Sequence, residues 1–124
     1  MIAVDTSCWI AYFGEGKGAD LELLAETLSS QQVILPPVVL TELLSATDLP
    51  QHIEVALIQL PILTSDDEFW QRAGRLRRKA LAKGYKARLA DTLIAQSCID
   101  HDVPLLTRDK DFRHFKQLAN LHLL

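Results

Sequence analysis

The chain has few of the features that would place it quickly. It holds two cysteines in 124 residues, Cys8 and Cys98, each in apolar surroundings and without Cys-x-x-Cys spacing. That excludes a disulfide framework and a structural zinc knuckle, and suits two buried, reduced thiols. No apolar run is long: the longest, Val33 to Leu40, is interrupted by Pro36 and Pro37, whereas a bilayer span needs about 20 apolar residues. The opening Met1-Ile-Ala-Val-Asp5 has no basic segment followed by a cleavable apolar one, so no secretory signal is expected. A cytoplasmic protein with no membrane partner is the expectation. There is no internal repeat, low-complexity tract or domain linker, no Gly-x-x-x-x-Gly-Lys-Ser/Thr phosphate loop and no Gly-x-Ser-x-Gly elbow. The four histidines, His52, His101, His114 and His122, are scattered rather than set at zinc-ligand spacing.

A surplus of basic charge is also missing. The formal net charge is -3, the wrong sign for bulk attraction to nucleic acid. Net charge averages over the surface, however. If Asp5, Glu42, Asp91, Asp109 and Asp111 surround a metal, the remaining surface carries about +2.

What is present is a single domain's worth of alternating elements. Ile2-Ala-Val4 reads as a central strand running into Asp5, with Thr6 or Ser7 placed to cap a short helix to Phe13. Asp20 opens a second helix with Leu21, Leu24, Ala25 and Leu28 at helical spacing. Val33-Ile-Leu35 is a second strand, and Pro36-Pro37 start a helix, about Val38 to Thr47, that carries Glu42 near an apolar face. Pro50 opens another helical stretch that ends at Pro61. Ile62-Leu63 reads as a third strand, followed by a helix from Phe69 to about Lys83. The helix bearing Asp91 comes next, then a strand over Val103 to Leu106, a short helix over Asp111 to Phe115 and a last strand over Leu121 to Leu124. This order predicts an α/β fold: one domain, residues 1–124, with a central, mostly parallel sheet of about five short strands flanked by helices.

The acids stand where apolar structure stops. Asp5 and Asp109 follow strands, and Asp91 has Ala87, Ile94 and Ala95 one helical turn away. An unpaired carboxylate in such surroundings protonates or costs several kcal/mol. A shared hard cation such as Mg²⁺ or Mn²⁺ relieves this, since about one to three carboxylates per ion suffice. Each acid alone also has a structural reading. Asp5 can cap a helix, Glu42 can pair with an arginine, Asp91 can favour a helix start and Asp109 can pair with a base. Asp111 reads first as the cap of the helix after it.

Three segments carry a resemblance: Val4-Asp5-Thr6-Ser7, Thr41-Glu42-Leu43, and Leu89-Ala-Asp91-Thr-Leu-Ile-Ala95 leading to Leu105-Leu-Thr107-Arg-Asp109-Lys-Asp111-Phe112. In this order and with these gaps the chain resembles the PIN-domain ribonucleases, specifically the VapC-like toxins of type II toxin-antitoxin pairs. It departs mildly at Cys8-Trp9, where aliphatic residues are more usual. The resemblance implies a Mg²⁺- or Mn²⁺-dependent endoribonuclease, with Asp5 and Asp91 as the principal metal ligands and Asp109 holding an ion or its water. It also implies that Glu42 binds or orients through water and that the Thr107 hydroxyl hydrogen-bonds within the site. An RNA substrate, a cognate antitoxin whose C-terminal segment crosses the site, and a homodimer are the implied partners. The alternative for the same residues is a catalytically silent PIN-like RNA- or protein-binding module. A receiver-like phosphotransfer domain fits less well, because Leu63-Thr64 and Thr107 do not supply its central aspartate and later lysine.

Two further features remain open at this level. Arg72, Arg75 and Lys79 recur at helical spacing with Arg78 and Lys86 nearby; they either face RNA or antitoxin, or form a solvated face paired with Asp66, Asp67 and Glu68. Trp9 and Trp70 read as packing residues of a core or a dimer.

Overall fold

A computed structural model describes all of residues 1–124. The first strand, β1 (Ile2–Val4), is the middle of a three-stranded parallel sheet, with β2 (Val33–Ile34) on one side and β3 (Leu105–Leu106) on the other. Ala3 pairs with Ile34 of β2 and with Leu105 of β3. Ala3, Val4, Val33, Leu105 and Leu106 are all buried, as a parallel strand covered on both faces requires.

Seven helices surround the sheet. Between β1 and β2 lie α1 (Thr6–Phe13) and α2 (Ala19–Ser29). Between β2 and β3 lie α3 (Pro37–Leu44), α4 (Gln51–Ile58), α5 (Phe69–Ala82) and α6 (Leu89–Asp100). A single 3-10 turn, Lys110–Phe112, leads into α7 (Arg113–Ala119). Helix α5 has alternating faces: Phe69, Ala73, Leu76 and Ala80 point inward, and the helix packs on α6 and α7. Helix α6 is covered on nearly every side, with Thr92, Ile94, Ala95, Gln96, Ser97 and Cys98 buried. Its buried hydroxyls are satisfied one turn back, Thr92 donating to the Arg88 carbonyl at 2.9 Å and Ser97 to that of Leu93 at 3.0 Å. Both cysteines are free and buried, and burial pushes each thiol up to about 12.

The Cys8-Trp9 departure is a packing feature. Trp9 is 1 % exposed, stacks on Phe13 with ring centroids 5.6 Å apart and meets Tyr12 edge-on at 6.4 Å. Trp70, by contrast, is 63 % exposed.

The sheet of about five strands does not form; three strands do. The other two segments each touch the sheet through one parallel bridge, Leu35 with Ile62 and Leu105 with Leu123. The first bridge is made by Leu35 N–H to the Pro61 carbonyl at 2.9 Å and Leu63 N–H to the Leu35 carbonyl at 2.8 Å. A parallel ladder extended either way would next need N–H donors from positions 61 and 37, and both are proline. At the other edge, Asn120 adopts a left-handed conformation, so the last segment becomes extended only just before it reaches Leu105. Beyond Leu106, β3 leaves the sheet as Thr107 turns toward Asp5.

Candidate metal centre

Because β1 and β3 are parallel neighbours, their carboxyl ends bring Asp5 and the segment from Thr107 to Asp109 to one edge of the sheet. Asp5 is 4 % exposed and heavily tied down. Its Oδ1 accepts from Ser7 Oγ at 2.6 Å and from the Cys8 N–H at 3.2 Å, and its Oδ2 accepts from Thr107 Oγ1 at 2.7 Å. Asp5, rather than Thr6 or Ser7, is thus the N-cap of α1, so its capping role and its place among the acids coexist. Burial raises its pKa above the ordinary 3.8, against the Ser7, Thr107 and Cys8 hydrogen bonds that lower it, and the charge of Asp109 adds to the rise.

Thr107 joins both strand ends: it also accepts the Asp109 N–H at 3.0 Å. Asp109 in turn caps the 3-10 turn, its Oδ1 accepting from the Asp111 N–H at 2.9 Å. That turn carries Asp111 back toward α6, where Asp91 stands in the first helical turn. Asp91, Asp109 and Asp111 each present a carboxylate oxygen within 4.8 Å of the others. Asp111, which reads first as a helix cap and whose contact with a metal the sequence leaves open, thus stands with Asp91 and Asp109. Lys86 Nζ lies 3.7 Å from Asp111 Oδ2 at the rim.

Asp91 is the most perturbed member. Burial, followed by the charge of Asp109, raises its pKa to about 6; Arg88 opposes this, and Asp5 and Glu42 add to it. The other three acids of the ordered set, Asp109, Asp5 and Glu42, thus all act on Asp91. The Asp91 Oδ2 atom is buried and accepts no hydrogen bond. A carboxylate oxygen left without a donor among like charges fits a site built for a hard cation. Asp5 and Glu42 stand outside the tight triplet. Glu42 is exposed on α3, with Oε1 accepting from Thr6 Oγ1 at 2.6 Å, and its apolar neighbours Ile10, Phe13 and Leu43 share a hollow with it.

Residues not singled out from the sequence support this arrangement. Ser7, two positions after Asp5, bonds it and also accepts the Arg108 N–H at 3.1 Å. The Arg108 side chain turns away from the acids to clamp Asp20 and the Lys17 carbonyl, the latter at 2.7 Å. A basic residue between Thr107 and Asp109 was the available signal, but its partner 88 positions away was not. Of the basic stripe on α5, Arg72 is occupied by Asp66 at 2.8 Å and Asp100 at 2.6 Å.

A parallel sheet that gathers acids at one edge, with a final Asp-bearing turn after β3, defines the PIN class. The chain belongs to the PIN domain family, whose profile matches residues 2–118, and the resemblance read from the three segments is borne out. The chain is 30% identical to Ribonuclease VapC11 of Mycobacterium tuberculosis over 128 residues, covering 98% of this chain and 96% of the relative. In fold it is similar to VapBC2 from Rickettsia felis, solved with a promoter DNA fragment, at a TM-score of 0.74 and 23% identity, covering 100% of this chain and 98% of that one. It is also similar to VapBC-5 from Mycobacterium tuberculosis, a member of the VapBC toxin-antitoxin family, at a TM-score of 0.64 and 21% identity, covering 99% and 96% of the two chains. No helix is long and apolar enough to cross a membrane.

Proposed function

We propose that this chain is a metal-dependent endoribonuclease, the VapC-like toxin of a toxin-antitoxin pair, acting in the cytoplasm as one PIN domain over residues 1–124. The observation that carries this reading is the Asp91-Asp109-Asp111 cluster, in which Asp91 also has a buried, unpartnered Oδ2. The VapC relative is named a ribonuclease, and the same chemistry suits these residues. A Mg²⁺ or Mn²⁺ ion held there supplies activation of water and stabilisation of the leaving 3′ oxygen of a phosphodiester, which leaves a 5′-phosphate.

The chain's own residues divide the work. Asp91 and Asp5 are the principal ligands in this reading, with Asp109 and Asp111 completing the cluster. Asp91 Oδ2 has a lone pair free for an ion or for a proton of the attacking water. Thr107 and Ser7 aim Asp5 by donating to both of its oxygens, and they oppose the rise in its pKa that burial causes. Glu42, held by Thr6, orients through water from the far side.

The partners follow the same reading. A cognate antitoxin neutralises the chain, supported by its fold likeness to toxin-antitoxin complexes. A homodimer is supported by apolar side chains left in solvent on α5 and at the start of α6, with Leu81 48 % and Leu89 61 % exposed. The deciding experiment is cleavage of total RNA in Mg²⁺ or Mn²⁺ with the cut ends mapped. Cleavage that a chelator stops and Asp91→Asn abolishes supports the assignment; undiminished cleavage by that variant refutes it. A folded protein that binds the metal and RNA without cutting would indicate the silent binding module instead.

A further inference from the structure

Helix α7 and the turn before it border a broad hollow of about 730 Å³ that opens directly beside the acids. It is lined by Thr107, Asp109 and Gln117, by Arg108, which Asp20 already holds, and by three further cations, Lys110, Arg113 and Lys116. The three cations stand at steps of three residues, so they project to one side of the chain over about 10 Å. None of them is in an ion pair; the cations that are paired are Arg72, Lys86 and Arg108. Asp109 is the only acid on the wall, and Leu123 and Leu124 are the only apolar residues.

We infer that this hollow is the track for the single-stranded RNA leading away from the cut, with Lys110, Arg113 and Lys116 holding its phosphates and Gln117 offering an uncharged hydrogen-bonding group. The inference rests on the ribonuclease reading and assigns where that site's substrate lies. Three features favour RNA over an acidic protein segment. The hollow shares Thr107 and Asp109 with the acid cluster, so a strand whose phosphate is at Asp109 continues into it without a break. Only two of its lining residues, Leu123 and Leu124, are hydrophobic, short of the row of apolar anchors that a docked peptide helix needs. Unpaired Arg and Lys at regular spacing match a chain of phosphates, which Arg grips in bidentate fashion. The overall charge of -3 does not oppose this, because the favourable field is local.

The test compares two double variants with equal loss of charge, both in an Asp91→Asn background so that RNA is not consumed. Arg113→Ala/Lys116→Ala removes two track cations, and Arg75→Ala/Lys79→Ala removes two exposed cations of α5. Binding of a labelled single-stranded RNA is followed from 50 to 200 mM salt. Each lost phosphate contact lowers the log–log salt slope by about 0.7, so the track variant should lose about 1.4, or roughly sevenfold less weakening across that range. The α5 variant should keep the parent slope. In the protein with Asp91 intact, the track variant should raise KM for RNA cleavage with kcat largely retained, and poly-glutamate should not displace the RNA. Equal slopes for the track variant and parent, equal losses from both faces, or displacement by poly-glutamate would each overturn the inference. Failure of the intact protein to cut RNA would remove the nuclease reading, while the binding comparison would still decide the track.

Discussion

Replacing Asp91 by asparagine separates what this residue costs the fold from what it does for a metal. In the folded protein its pKa is pushed from 3.8 to about 6 by burial first and then by Asp109. The unfolded chain therefore releases this proton more readily than the folded one. Stability falls as pH rises through the interval from about 4 to about 6, and the whole cost is present above it. The full shift corresponds to about 3 kcal/mol, but solvent reaches part of the carboxylate, and screening leaves about 1 to 2 kcal/mol. The amide keeps the shape, removes the charge and can donate toward Asp109. Without metal, Asp91→Asn should therefore melt about 3 to 8 °C above the parent at pH 8, and the difference should vanish near pH 3.5. Adding Mn²⁺ should reverse the order: at about 100 times its dissociation constant a bound ion stabilises the parent by about 2.7 kcal/mol, and the variant should lose most of that. Differential scanning fluorimetry across pH, with and without Mn²⁺, reads both effects. A metal-free variant no more stable than the parent at pH 8, or one whose advantage persists unchanged at pH 3.5, would refute the argument.

Thr107→Val keeps the side-chain shape but leaves buried Asp5 Oδ2 without its donor and the Asp109 N–H without its acceptor. It should cost about 1 to 3 kcal/mol in urea unfolding and reduce cleavage as well. Arg72→Ala removes ion pairs from the first turn of α5 to Asp66, just before that helix, and to Asp100 at the end of α6; it should lower the melting temperature while leaving kcat/KM for RNA at the parent value. Leu89→Lys places a charge on the exposed apolar patch of α6, where Leu89 is 61 % exposed. If the proposed homodimer forms through this patch, sedimentation should show a dimeric parent and a monomeric variant, with the helical content unchanged.

Much of this molecule can be read from its residues in order. Short unalternating apolar runs mark buried parallel strands, and the sheet does place Asp5 and the Thr107-Arg-Asp109 turn at its carboxyl edge. Helical spacing finds the helices to within a few residues, and Asp91 against small apolar neighbours is visible as an acid that needs a partner. Those signals are local, so a linear reading reaches them. Strand count is a different kind of property. Ile62-Leu63 has the composition of a strand, but whether a ladder propagates depends on which N–H faces which carbonyl, and Pro37 and Pro61 fall at the two positions where donors were required.

The acid cluster shows the same division. Asp111 has the sequence signature of a helix cap, and only the tight turn held by Asp109 swings its carboxylate to within 4.8 Å of Asp91 and Asp109. The basic residues show the same division. Periodicity picks out the dense stripe on α5, where Arg72 is held by Asp66 and Asp100 while Arg75 and Lys79 stay unpaired. Lys110, Arg113 and Lys116 are sparser in sequence and also unpaired, but they line a hollow together with Thr107 and Asp109. Chemical identity and helical period are written residue by residue and so were legible in the chain. Which charges meet, which remain free and which backbone donors find acceptors depend on distances between residues far apart in sequence, and the tertiary structure alone decided those.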